Sequence, residues 1–188
     1  MTILMHRFGT AILVATLAMT LDACRAVPSS GSLPTRVQPA MDADVCFSPG
    51  GGCTDLVVGM LRQANNTVRV QAYALTSQLI AQALVDAHRR GVRVGVILDQ
   101  GQRQGLDAQT GFLAQAGVPV RIDAAHAAAD NNVIIIDGDA VITGSFEFTD
   151  SSEERNAENL VVIRDRALAE RYKANWEQHH AHAEGVAL

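Results

Sequence analysis

From Asp44 onward, the apolar positions follow two periods that take turns along the chain. "TVRVQAYAL" (Thr67 to Leu75) alternates and is rich in β-branched side chains, which predicts a strand. "VRVGVILD" (Val92 to Asp99) is almost continuously apolar in its second half, as a central strand buried on both faces would be. Between these two, Leu79, Ile80, Ala83, Leu84 and Ala87 recur at helical spacing, with Thr76 or Ser77 in the capping position and Gly91 at the end. A similar stripe of Leu56, Val57, Met60 and Leu61 predicts an earlier helix, capped by Thr54 or Asp55. A third helix is expected over Gly105 to Gly117. A last amphipathic helix carries Leu168, Tyr172 and Trp176.

Further short apolar runs predict strands at Asp44–Ser48, Val118–Asp123, Asn132–Asp137, Ala140–Ser145 and Asn159–Asp165. Gly138 and Asp139 join two of them as a hairpin turn. The order is β-α-β-α-β-α-β-β-β-β-α. Alternation followed by antiparallel pairs predicts an α/β fold, a single domain with a mixed β-sheet flanked by helices on both faces.

Composition narrows this picture. Hydrophobic residues make up 48% of the chain and charged residues 19%, enough for a packed core and against global disorder. A net charge of −5 argues against a dedicated nucleic-acid binder, although a local basic patch can outweigh the average. The candidate patches are "HRRGVR" (His88 to Arg93) and Arg103, which as helix ends are ordinarily just solvated.

Residues 1–24 read as an export segment. A basic start at His6 and Arg7 precedes an apolar run from Ala11 to Leu21, too short to span a bilayer. "LDAC" resembles a bacterial lipobox with Asp22 in an unusual place, so Cys24 is a candidate lipid anchor. Plain cleavage nearby and an uncleaved membrane anchor are the alternatives. Residues 25–41 are rich in Pro, Ser and Gly and read as a flexible linker; the folded domain is expected over 42–188. These features predict an exported protein of the periplasm or envelope. There Cys46 and Cys53, flanking the turn-rich "FSPGG", either form a disulfide or stay as two small buried thiols.

The segments "FSPGGGCTDLVVGMLRQANNTVRVQAYALTS", "ALVDAHRRGVRVGVILD", "VIIIDGDAVITGSFEFT" and "NAENLVVIRD" resemble, in order and spacing, the single-motif, endonuclease-type branch of the phospholipase D superfamily. The resemblance implies a homodimer with a shared site, hydrolysing phosphodiester bonds in nucleic acid or phospholipid through a phosphohistidine, with no metal or other cofactor. The family signature is a His, a Lys two residues on, an Asp five beyond it, and a Gly-Ser-x-Asn corner. Registered on this sequence, Asp137 takes the Asp position, and Gly144 and Ser145 take the Gly-Ser. Asp130 then stands at the His position, Asn132 at the Lys and Glu147 at the Asn.

These replacements remove the nucleophile and a phosphate-binding charge and add two carboxylates where an anionic substrate would sit. Activity is therefore expected to be absent or severely reduced. An active phosphodiesterase remains the alternative, using His126 or a divalent metal held by Asp130, Asp137, Glu147 and Glu158, which the resemblance brings near one cavity. Against the metal stands the plainer reading of Asp137 and Glu158 as structural hydrogen-bond partners. His179, His180 and His182 read as a solvated helix end with weak metal affinity at most.

Overall fold

The computed structural model describes residues 41–103 and 108–186. The export segment, Cys24 and all but the last residue of the linker lie outside the described residues, as does the side chain of Arg103.

The elements run β1 (Ala43–Ser48), α1 (Cys53–Gln63), β2 (Thr67–Ala72), α2 (Gln78–Arg89), β3 (Arg93–Asp99), α3 (Ala108–Gln115), β4 (Val120–Asp123), β5 (Val133–Ile136), β6 (Ala140–Gly144), α4 (Asp150–Glu154), β7 (Glu158–Arg164), α5 (Arg166–His182) and β8 (Glu184–Gly185). The strands form one sheet in the order β1-β7-β6-β5-β2-β3-β4-β8. β2, β3 and β4 are parallel, each followed or preceded by a helix; every other pairing is antiparallel. The mixed sheet and its flanking helices match the expected class. The short α4 and the two-residue β8 are additions that apolar periodicity does not signal, because neither is long enough to complete a pattern.

Strand alternation builds two cores. Val68, Val70, Val96, Leu98, Ile134 and Ile142 face one side and meet α1, α2 and α3 through Val57, Leu61, Ile80, Leu84 and Leu113. Ile97, Val133, Ile135 and Val141 face the other side and meet Ala169 and Trp176 of α5. Gly95 of β3 makes room for that indole, since a Cβ there would lie 3.3 Å from the Trp176 ring. The Trp176 Nε1–H donates to the Val70 carbonyl at 2.9 Å.

Several ends are closed by side chains distant in sequence. α1 starts after Gly52 with no cap from its own first turn. Instead Glu153 of α4 accepts the Gly52 N–H at 3.1 Å and the Thr54 N–H at 2.7 Å, so neither Thr54 nor Asp55 supplies the cap. Ser77 holds the N-cap position of α2 without a side-chain cap bond, while the Thr76 and Ser77 N–H groups donate to the Phe148 carbonyl. Cys46 and Cys53 are joined as a disulfide that ties β1 to the first residue of α1.

Candidate functional site: the carboxyl edge of the sheet

The strand directions put chemistry on one edge. β1, β2, β3, β4 and β6 all run toward it, and β5, β7 and β8 start from it. Along this edge lie Ser48, Glu158, Gly144, Asn132, Asp99 and Asp123, in the order of their strands. Open α/β sheets place ligands at such an edge, where the connections leave room.

The β4–β5 connection, residues 124–132, crosses over the ends of β3 and β2 and is tied down as it goes. Asp99 accepts the Gly101 and Ala129 N–H groups, each at 2.7 Å. Asn132 is 8% exposed, and its Oδ1 accepts the Tyr73 N–H at 3.2 Å. Its Nδ2 points to Asp130 Oδ1 at 3.4 Å. Asn132 is thereby fixed to the end of β2, and the exposed Asp130 sits beside it.

The corner after β6 supplies the second group. Gly144 has φ 150, and a Cβ there would lie 2.2 Å from the Asn159 carbonyl, so only glycine allows β6 to approach β7 this closely. The Ser145 hydroxyl oxygen accepts the Asn159 N–H at 3.1 Å. Phe146 and Phe148 are buried on either side of Glu147, which holds that side chain on the opposite, half-buried face. Burial raises the Glu147 carboxyl above its ordinary range, and the charges of Glu158 and Asp130 raise it further. Glu158 Oε1 accepts Asn156 Nδ2 at 2.8 Å, and its buried Oε2 has no hydrogen-bond partner among the described residues. Its N–H donates to Ser48 Oγ at 3.2 Å.

Asp130, Asn132, Ser145, Glu147 and Glu158 thus share one edge. Asp137 does not, and the expectation of four carboxylates at one cavity is corrected. It lies beyond the far end of β5, separated from Asn132 by the whole strand, roughly 17 Å at the usual rise. There it accepts the N–H groups of Asn65 (2.9 Å), Asn66 (2.7 Å) and Thr67 (2.8 Å), closing the start of β2. Burial would raise its carboxyl, but these three bonds outweigh it and hold the group below its ordinary value. Asp137 and Gly138, with φ 52 and 75, are the central turn residues, and Asp139 N–H closes the turn on Ile136. The turn is therefore Asp-Gly rather than Gly-Asp.

The "HRRGVR" run also lies at that far end, and Arg90 Nη2 is occupied by the Leu61 carbonyl at 3.0 Å. His126 is on the site edge but beside a different partner. Its ring lies 5.0 Å from that of His179 and 5.4 Å from that of His182, all three around Asp123. Sequence reading missed this group, although Asp123-x-x-His126 and His179-x-x-His182 share a spacing of three. Among the described residues no Lys, Arg or His forms an ion pair with Asp130, Glu147 or Glu158. The sole lysine of the sequence, Lys173, lies on α5 and pairs with Glu170 at 3.0 Å.

Comparison with known proteins places this architecture. The family profile described as cardiolipin synthase, PLD-like domain, matches residues 57–180. The chain is 43% identical over 135 residues to phospholipase D of Rickettsia prowazekii, covering 72% of this chain and 66% of that one. It is 30% identical over 119 residues to the mitochondrial cardiolipin hydrolase of Xenopus tropicalis, covering 63% of this chain and 57% of that one. It thus spans just under two thirds of the Rickettsia relative. Among solved structures, Nuc of Salmonella typhimurium, a phospholipase D family member, superposes with a TM-score of 0.74 at 33% identity, covering 79% of this chain and 99% of that one. NucT from Helicobacter pylori shares the fold, with a TM-score of 0.70 at 20% identity over 78% of this chain and 99% of that one. The chain belongs to the phospholipase D superfamily of phosphodiesterases, in its Nuc-like branch.

Proposed function

We propose that this chain is an exported phospholipase D-like domain that has kept the family scaffold and lost its phosphodiester hydrolysis. It would serve as a homodimeric envelope protein, with nucleic acid or phospholipid as the ancestral substrate class and a lipid anchor at Cys24. The observation that carries this reading is the convergence of Asp130, Glu147 and Glu158 with no ion-paired cation among the described residues; burial raises the Glu147 carboxyl, and the charges of Glu158 and Asp130 raise it further. A phosphodiester brought to this edge meets like charge, and the side chains at the signature positions supply neither an imidazole nucleophile nor an ammonium group.

Two further features support the wider reading. The Cys46–Cys53 pairing suits an oxidising compartment. Val45 and Phe47 of β1 are 59% and 64% exposed on the sheet face that α5 leaves uncovered, on the same strand that ends at Ser48 and the site. A second copy covering that face would bring two such edges together.

The test is hydrolysis of an aryl phosphodiester and nicking of plasmid DNA by the full chain, in EDTA and with added Mg²⁺ or Mn²⁺. The control is the triple reversion Asp130→His, Asn132→Lys, Glu147→Asn. The parent chain should be silent under both conditions, and the reversion should raise turnover by at least about 10²-fold over it. Turnover by the parent chain would overturn the proposal, and its dependence on EDTA would say whether carboxylates and a metal have replaced the histidine.

A further inference from the structure

We infer that the chain carries a Zn²⁺ site on the same edge of the sheet, distinct from the group of Asp130, Glu147 and Glu158, built from His126, His179, His182 and Asp123. The four residues each offer one ligand atom, and these atoms all lie within 4.8 Å of one another. Four atoms at that separation sit within roughly 1 Å of the Zn–N and Zn–O distances of a tetrahedral centre, a closing movement that side-chain rotation supplies.

The geometry comes from two short repeats of the same spacing. Asp123 ends β4, and His126 lies three residues on, in the turn that follows. His179 and His182 stand three apart at the end of α5, so both rings fall on one face of the helix. α5 runs up the sheet and delivers them to the end of β4. His179 Nδ1 meets Asp123 Oδ2 at 2.7 Å, and His182 Nε2 meets Oδ1 at 3.1 Å. The Arg121 guanidinium binds the Ala183 carbonyl at 2.6 Å and fixes the helix end against the same strand.

The plainer account is a buried carboxylate satisfied by its neighbours. The Asp123 side chain is fully buried, and two imidazoles together with the Ala125 N–H already satisfy it. That account leaves His126 unexplained. Its Nε2 is 3.9 Å from Asp123 Oδ2, too far for a hydrogen bond, yet the ring is turned toward the same point as the other two. Three imidazoles and one carboxylate form a nitrogen-rich donor set for Zn²⁺, whereas Mg²⁺ and Ca²⁺ favour oxygen. Four protein ligands close the coordination sphere, which marks a structural rather than a hydrolytic centre. The ion would clamp the end of α5 to the start of the 124–132 connection, the segment that carries Asp130 and Asn132.

The test is a titration of the full chain, first stripped with EDTA, with ZnCl₂ by calorimetry, with thermal unfolding followed in parallel. One Zn²⁺ per chain with a Kd below about 1 μM is expected, together with a rise in Tm of about 5 °C in excess metal. Co²⁺ in its place should give the visible absorption of a four-coordinate nitrogen and oxygen site. His179→Ala/His182→Ala should abolish binding. Because that variant exposes the buried Asp123, His126→Ala is the independent probe: it leaves both Asp123–imidazole contacts intact and should weaken Zn²⁺ about 10–100-fold. His180→Ala, on the same helix end but stacked on Trp176, should leave affinity unchanged. No saturable binding tighter than about 10 μM would overturn the inference. So would binding unaffected by His126→Ala and by the double variant.

Discussion

The Asp99 carboxylate accepts the N–H of Ala129 at 2.7 Å, across 30 residues of sequence, and so holds the connection that presents Asp130. Asp99 is only 4% exposed, and its other oxygen accepts the Gly101 N–H. Asp99→Ala would leave two backbone donors without their acceptor. A loss of about 2–3 kcal/mol in denaturant unfolding is expected. Hydrogen exchange should rise first at residues 124–131, ahead of β2 and β3; uniform exchange over the whole domain would contradict the anchoring role.

Glu147 should make the domain less stable at neutral pH than it need be. Burial raises its carboxyl, with Glu158 and Asp130 adding to the effect. A group whose folded pKa lies above its unfolded value favours the folded state at pH below the unfolded pKa, and that advantage is lost as pH rises through the folded pKa. Glu147→Gln should therefore stabilise the chain by about 0.5–1 kcal/mol at pH 7 and by little at pH 4. Unfolding midpoints at the two pH values check the sign.

Asp137 should behave in the opposite sense and at a distance from the site. Its three backbone hydrogen bonds hold the carboxyl low, so its contribution is present at neutral pH and fades as pH falls through the depressed value. Asp137→Ala should cost about 2 kcal/mol at pH 7, less in acid. In the triple reversion background, any fall in turnover should track the folded fraction rather than the chemical step.

Gly144→Ala is expected to be among the most damaging single changes at the edge. A Cβ placed 2.2 Å from the Asn159 carbonyl cannot be accommodated without parting β6 from β7. A loss above about 3 kcal/mol, or failure to fold, is expected by chemical denaturation. Ser145→Ala, which removes only the contact to Asn159, should cost about 1 kcal/mol.

Breaking the Cys46–Cys53 bond should loosen the first strand. The bridge closes a short loop with a sequence separation of 7, for which a cost of about 2 kcal/mol is expected on replacing both residues by serine. Midpoints for the oxidised parent and the double serine variant give the comparison.

Much of this was legible in the chain because its signals are local. β3 and α2 carry long, unambiguous apolar patterns, and the structure places them within a residue or two of the expected spans. What the sequence hides is decided by tertiary contact. Glu153 caps a helix a hundred residues earlier, and nothing near Thr54 announces it. Asp137 sits in a motif that resemblance assigns to the site, yet strand length carries it to the other end of the sheet. The three histidines around Asp123 come from a turn and a helix end separated by 56 residues at the His179–Asp123 contact, so each pair reads as an ordinary surface repeat until α5 is laid along the sheet. Asp130, Glu147 and Glu158 were legible as a group only through the family resemblance, which set Asp137 beside them as well.

The placement of β1 sets the order in which the domain can be completed. β1 is the first of the described strands and an edge of the sheet, and its sheet neighbour is β7, with Ser48 and Glu158 in contact across 110 residues. The units from α1 to β3 close over short separations and can form early. β1 and the cap of α1 must wait until residues 153 to 164 are available to pair with them. Until then Val45 and Phe47 belong to an unpaired strand, so the last step of folding is the return of a segment made long before its partner.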